Sequence, residues 1–381
     1  MSLPDRVPEA APVGLWQLVR YFLRLGALGF GGPIALAGSM QRDLVPRRWI
    51  TEEEYVQGLA FSQMMPGPLA AQLAMWIGYL RHGALGASLV GIAFILPTYL
   101  IVLAVSALYV AYHGLSLVQA LFYGIGPMVI AIVAISATRL ARTTVGGDWR
   151  MWLVFVAAAV VTLVTRAEIA LLFLAAGLLG IVIHSPPARN GAALPLAIAP
   201  IVGGAGVHLP ILLAVGAFFL KAGAFTFGSG LAIVPFLHHG VVVEHRWLDE
   251  RQFLDAVAVG IITPGPVVIT AAFVGYLVAG LRGSLVAAAG VFLPVYLFVL
   301  FIGRYIIRWR HHPVLHGFVK GATSAASGAI AAATLILGQG SIVDAPTAVI
   351  AAAGAILLLR FRVPEPAVVA AGAIAGIVLR R

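Results

Sequence analysis

The chain has 381 residues, 61% of them hydrophobic and only 10% charged, where a soluble domain carries about 25% charged residues. Apolar runs long enough for the ~30 Å hydrocarbon layer recur along almost its whole length, which excludes an ordinary soluble protein and predicts a multi-pass membrane protein in contact with lipid. The formal charge of +10 does not point to nucleic acid, because Arg139, Arg142 and Arg150, and again Arg304, Arg308 and Arg310, sit in short loops beside apolar segments, where basic residues orient a membrane protein. The absence of cysteine excludes disulfides, thiolate metal sites and thiol redox chemistry.

Taken in chain order, the first thirteen residues are polar and proline-rich, and no cleaved signal peptide is expected. Six apolar segments follow, at roughly 14–45, 53–80, 84–112, 115–140, 150–165 and 168–184. The first two are too long for plain spans and are interrupted by Gly31-Gly32-Pro33 and by Pro66-Gly67-Pro68. A connector over 185–210 holds one further apolar stretch, Ala192 to His208, and a second set of segments fills 211–381.

The second set repeats the first. Phe30-Gly31 is echoed by Phe227-Gly228, Trp49 and Tyr55 by Trp247 and Phe253, and Pro66-Gly67-Pro68 by Pro264-Gly265-Pro266. Gly78-Tyr79 matches Gly275-Tyr276, Pro97 and Tyr99 match Pro294 and Tyr296, and Glu168 matches Glu365. The offset stays at 197 or 198 throughout, a register that marks an internal duplication. Charge then orients the copies. In the first, Arg139, Arg142 and Arg150 follow the fourth segment; in the second, Arg304, Arg308 and Arg310 follow the third, and the loop after the fourth holds Asp344. Basic loops face the cytoplasm, so the copies are inverted. The expected fold is an all-α polytopic membrane protein of two inverted homologous repeats, 14–184 and 211–381, each of about six apolar segments with broken helices or re-entrant hairpins, plus a connector span. Thirteen segments place the N-terminus in the cytoplasm and the C-terminus outside. Inverted repeats are a recurring device of secondary transporters.

The breaks are the candidate site. Gly and Pro within apolar segments free backbone groups that lipid cannot satisfy, so they belong in protein or a water-filled cavity. Pro33 and Pro68 are suited to start new half-helices, whose N-termini present free amides and the positive end of a dipole to an anion. Gly228-Ser229-Gly230 and Pro264-Gly265-Pro266 repeat the arrangement, and four such ends converging at the symmetry axis make an oxyanion cradle. Packing kinks in ordinary membrane helices are the alternative. Arg24 and Lys221 occupy equivalent positions before the glycine breaks and supply two positive charges; snorkelling to the interface is the other role open to them, and the one expected of Arg20. Ser62, Gln63, Gln72, Thr226, Ser229, Thr263 and Thr270 flank the breaks as potential hydrogen-bond donors or as interhelical contacts.

The remaining polar groups carry less. His238, His239 and His245, and His311, His312 and His316, lie beside arginine-rich turns with no carboxylate completing a ligand set, so no metal is expected. Glu52, Glu53 and Glu54 read as the start of a helix. No phosphate loop, nucleotide fingerprint, cofactor motif or acid–base pair is present, so neither an enzyme nor an ATP-driven pump is expected. Carboxylates are scarce in the apolar segments, and no proton carrier stands out.

Phe30-Gly31-Gly32-Pro33 with Gly38-Ser39-Met40, and Pro66-Gly67-Pro68 after Trp49 and Tyr55, together with their second-half matches, resemble the chromate ion transporter (CHR) family in its long, two-domain form. The resemblance implies efflux of chromate and chromate resistance, with sulfate as a chemical analogue. Gly228-Ser229-Gly230 departs from Gly31-Gly32-Pro33 and makes the halves unequal. Sulfate or another anion as cargo, and an anion channel on the same scaffold, stay open, as does the assembly state, with a homodimer among the options.

Overall fold

The computed structural model describes residues 11–30, 32–112, 116–165, 170–184, 210–226, 233–303 and 312–380. Gly31, Gly228, Ser229 and Gly230, the connector stretch Ala192 to His208, Glu168, His311 and the arginines 304, 308 and 310 lie outside the described residues. Among those described, every regular element is a helix, as expected where the bilayer leaves the backbone no other partner than itself.

The first repeat opens with α1 (Leu15–Leu28) and α2 (Gly32–Leu44), followed by α3 (Glu52–Met64) and α4 (Leu69–Tyr112). Helices of 13 or 14 residues reach only ~20 Å at about 1.5 Å per residue, short of the hydrocarbon thickness. They are paired as hairpins instead. Tyr21 of α1 donates to Asp43 of α2 at 3.1 Å, and the Phe61 ring of α3 stacks on Trp76 of α4, 5.3 Å between centroids. Both pairs sit at similar distances before and after their breaks, so each hairpin returns to the end it started from. Segments one and two are therefore re-entrant in shape. At that end Arg81 bonds the Trp49 carbonyl at 2.7 Å and pairs with Glu54, and His82 meets the Val13 carbonyl at 2.9 Å.

The 44 residues of α4 are two helices. His82 (φ −138°, ψ 23°) and Gly83 (φ 60°, ψ −149°) leave the helical region, and the limb from 84 folds back on the limb ending at 81. Gly78 and Gly86 face each other so closely that a Cβ on either would collide with the other's carbonyl, the small-residue contact by which membrane helices approach. The long limb then runs to Tyr112, and α5 (Ser116–Val145), α6 (Trp149–Thr165) and α7 (Ala170–His184) complete the repeat.

The second repeat reproduces this. It comprises α8 (Ile211–Phe225), α9 (Ile233–His238, extended by a π-helical turn His239–Glu244), α10 (Glu250–Ile262), a short turn Val267–Ile269 leading into α11 (Thr270–Leu297, with a π-helical end Phe298–Ile302), α12 (Pro313–Ser341), α13 (Ala345–Leu359) and α14 (Glu365–Leu379). The α11 kink at Ala279 (φ −146°, ψ 29°) and Gly280 (φ 60°, ψ −151°) has the same backbone conformation as the α4 kink, and Gly275 and Gly283 repeat the close contact. Thr51 and Glu54 form a capping box at the start of α3, and Asp249 and Gln252 form its counterpart on α10. The acidic run at 52–54 is thus a helix start.

The copies run in opposite directions and interlock. Ser88, early in the long limb of α4, bonds Tyr296, late in the long limb of α11, at 2.7 Å, so these limbs are antiparallel. α5 packs against α13 and α14 of the other copy, while α12 packs against α6 and α7. At one such crossing Gly124 lies against Gly372 and Gly376, and at its counterpart Gly321 lies against Ala176 and Gly180. Asp148, His184 and Lys320 tie the second of these crossings together at its end, with Lys320 and His184 each 2.8 Å from the Asp148 carboxylate. Burial in this half-polar cluster is partial, and the Lys320 ammonium holds the Asp148 carboxyl well below the usual carboxylate range. Chain direction puts Arg81, Arg139, Arg142, Arg150, Lys320, Arg360 and Arg362 at the same end of the bundle, and Asp249, Glu250, Asp344 and Arg380 at the opposite end.

Candidate functional site

Each Pro-Gly-Pro break meets the end of the first helix of the opposite copy. The Gly265 amide donates to the Gly29 carbonyl at 2.8 Å, and the equivalent Gly67 amide donates to the Thr226 carbonyl at 2.5 Å. Each bond joins the Pro-Gly-Pro turn of one copy to the first hairpin of the other, so the turns are exchanged across the pseudo-twofold axis. Backbone groups released by proline are satisfied this way without water. Gly67 (φ 130°) and Gly265 (φ 91°) both adopt backbone angles reserved for glycine, and a Cβ on Gly265 would collide with the Thr98 hydroxyl. Thr98, buried at mid-limb on α4, donates to the Gly26 carbonyl at 3.2 Å.

Pro264, Gly265 and Pro266 are buried, as are Gly67 and Pro68, while Pro66 is half-buried. Pro68 directly precedes α4 and Pro33 occupies the first turn of α2, so both stand where a half-helix begins. Gly32, half-buried at φ 77°, starts α2, with the Glu365 carboxylate about 4.0 Å from where its Cβ would lie.

The flanking hydroxyls behave differently from the sequence reading. Ser62, Thr226, Thr263 and Thr270 are buried, and each donates to a carbonyl of its own chain three or four residues back, at 2.8, 2.6, 2.9 and 2.8 Å. In an apolar interior a hydroxyl takes the nearest acceptor, so these protons are already committed. Gln72 donates to the Pro66 carbonyl at 2.7 Å and bridges its own break, while its side-chain oxygen is buried without a partner. Gln63 is exposed.

Arg24 is exposed on α1, on the side away from Phe22 and Gly26, which pack against α4. Lys221 is half-buried, its ammonium 5.9 Å above the Phe236 ring. No carboxylate among the described residues pairs with either, so both are uncompensated cations on the first helix of a hairpin. His238 is buried against Glu250 at 2.8 Å and His245 stacks on Trp247 at 4.3 Å, which gives these histidines packing and pairing roles.

Sequence reasoning passed over Asp255. It lies on α10, two turns before the Thr263–Pro266 break, is 5% exposed, and accepts a hydrogen bond from Tyr109 at 2.8 Å. The signal was available, since an acid inside Phe253-Leu254-Asp255-Ala256 is an ionisable group in an apolar run.

The chain resembles known proteins along its whole length. The family model described as chromate transporter matches residues 16–181 and again 213–377. A chromate transport protein of Cupriavidus metallidurans is 51% identical, over 98% of this chain and 95% of the relative. A probable chromate transport protein of Synechococcus elongatus is 47% identical over 96% and 95%, and one of Pseudomonas aeruginosa is 30% identical over 88% and 84%. No solved structure matches. Two matches of one family model on the two interlocked halves, with relatives half identical end to end, make this chain a multi-pass membrane protein that belongs to the chromate transporter family.

Proposed function

We propose that this protein exports chromate across the bacterial inner membrane by alternating access, and so confers chromate resistance. The exchanged bonds Gly265–Gly29 and Gly67–Thr226 carry the reading. In the closed arrangement two carbonyl oxygens occupy the amides of the Pro-Gly-Pro turns. An oxyanion offers those amides better acceptors, because charged oxygens bind N–H groups more strongly than carbonyls do. Separation of one exchanged pair at a time opens the cradle to one side and then the other, with the repeats 14–184 and 211–381 as the two moving units and 185–210 as the link. Arg24 and Lys221 balance the dianion, and Gly31, Gly32, Pro33, Gly228, Ser229 and Gly230 belong to the same cradle.

The arginine-rich end is assigned to the cytoplasm. An inside-negative potential is worth about 2.3 kcal/mol per charge per 100 mV. For a dianion this doubles to ~4.6 kcal/mol, or about three decades of outward gradient at ~1.4 kcal/mol per decade, so the potential alone is a sufficient driving force.

The test is radiolabelled chromate uptake into inside-out vesicles under an imposed potential, with sulfate as competitor. Saturable, potential-driven accumulation that is lost in an Arg24→Ala, Lys221→Ala double mutant supports cargo and site together. Full transport by that mutant removes the two cations from the site. No chromate flux from folded protein assigns the scaffold to another anion.

A further inference from the structure

We propose that Asp255 is a proton-binding site loaded from the outer end of the protein, and that its protonation gates release of the anion on that side, an inference that rests on the transport reading above. Asp255 lines two open cavities. Each is about 250 Å³, lies at the end of the bundle opposite the arginine-rich one, and is also lined by Arg251 and Phe122. The first adds Tyr109, Gln119 and Asp249; the second adds Glu250, Ser341 and Arg380. The Ser341 hydroxyl is buried at the second cavity without a hydrogen-bond partner, which is the mark of a polar atom placed for something exchangeable.

The surroundings favour a proton over the transported anion at this point. From its own helix Asp255 is faced by Asp249, Glu250 and Arg251. α4 contributes Tyr109, α5 contributes Tyr123, which donates to Asp344 at 2.6 Å, and α14 contributes Arg380, 4.3 Å over the Tyr123 ring. α9 contributes His238, 2.8 Å from Glu250, and α11 contributes Phe273, packed 5.2 Å from Tyr109. Four acids against two arginines repel an emerging dianion, and neutralising the most buried of them removes the repulsion nearest the cradle.

Position supplies the coupling. Asp255 sits on the half-helix that ends in the Thr263–Pro266 break, and its Tyr109 partner lies at the outer end of the long α4 limb that carries Thr98 against Gly265. A carboxylate accepts the Tyr109 proton strongly and clamps α10 to α4; a protonated carboxyl accepts it more weakly and loosens the clamp. The inverted copy has Gln57 at the equivalent position, half-exposed and bonded to Glu53 at 3.0 Å. The device therefore exists on the outer side alone.

Two measurements decide the proposal. In the purified full chain, infrared titration should show a protonatable carboxyl band that vanishes in Asp255→Asn. Tyr109→Phe removes a donor to the charged form, so the same band should titrate higher, by about one pH unit. In right-side-out vesicles loaded with radiolabelled chromate, with the potential clamped at zero, efflux should rise several-fold as the outer pH falls, and Asp255→Asn should make it flat. Absence of a titrating band from Asp255, or an Asp255→Asn protein with the wild-type pH dependence, overturns the proposal. If Asp255→Asn does not fold, Tyr109→Phe and Asp255→Glu must displace both the titration and the flux profile, and unchanged profiles overturn it equally. A titrating Asp255 in a protein that moves no chromate supports the proton site and counts against the cargo.

Discussion

Gly265 donates its amide proton to the carbonyl of Gly29 at 2.8 Å, a bond between the Pro-Gly-Pro turn of one repeat and the first hairpin of the other. Its symmetry mate joins Gly67 to Thr226. These two contacts tie the two copies together at their breaks, because the Gly67 and Gly265 amides each take their acceptor from the other copy.

Replacement of Gly265 by alanine should abolish transport and lower stability. Its φ of 91° costs a non-glycine residue about 1–2 kcal/mol, and the new Cβ collides with the Thr98 hydroxyl. Thr98→Ala in the same chain should recover part of the loss. Thermal unfolding in detergent and chromate flux measure the two effects, and a neutral Gly265→Ala would show that the turns are not held together as described.

The returning limbs of α4 and α11 should be equally intolerant of bulk. Gly78→Val places side-chain atoms against the Gly86 carbonyl and Gly275→Val against Gly283, so each should cost several kcal/mol, as overpacking of a tight contact does. Membrane-inserted, folded protein can be scored by monodispersity in detergent. Tolerance in one copy alone would mean that the hairpins are energetically unequal.

The cluster of Asp148, His184 and Lys320 should act as a stabilising clamp at the arginine-rich end. All three side chains are about one-fifth exposed, which limits the expected loss in Asp148→Asn or Lys320→Met to about 1 kcal/mol. The Asp148 carboxyl has its folded-state pKa lowered, chiefly by Lys320. Its contribution is therefore complete above the ordinary carboxylate range, near pH 4, and disappears only as pH falls below it through the lowered value. Melting temperatures of the wild type and Asp148→Asn should differ by a constant amount from about pH 5 to 8 and converge in stronger acid.

Because the chain has no cysteine, single cysteines report its topology cleanly. Gly147 and Gly340 have open space where a Cβ would stand. Gly147→Cys should react with an impermeant maleimide only from the cytoplasmic side, and Gly340→Cys only from outside. Labelling of both from one side would contradict the inverted arrangement.

Lys221→Gln should weaken chromate binding more than it slows turnover, raising KM about tenfold, a loss of ~1.4 kcal/mol. Its half-buried ammonium over Phe236 has no carboxylate partner among the described residues, whereas Arg24 is exposed and less confined, so Arg24→Gln should have the smaller effect.

Membrane insertion, the duplication, its inversion and the places where helices break were all legible in the residues. Each depends on local composition or on spacing along the chain: apolar run length, a constant offset, arginine placement, and prolines and glycines that no uninterrupted helix holds. Even the capping boxes at Thr51 and Asp249 are local, since cap and partner are three residues apart. What only the tertiary structure decided is which break meets which. The exchange of Gly67 and Gly265 between copies, the commitment of Thr226 and Thr263 to their own helices, the exposure of Arg24 and the meeting of Asp255 with Tyr109, 146 residues away, depend on how antiparallel helices pack. Burial and hydrogen-bond competition are set by neighbours remote in the chain, and a polar residue in an apolar segment reads the same whether its proton is free for a substrate or already given to a carbonyl one turn behind it.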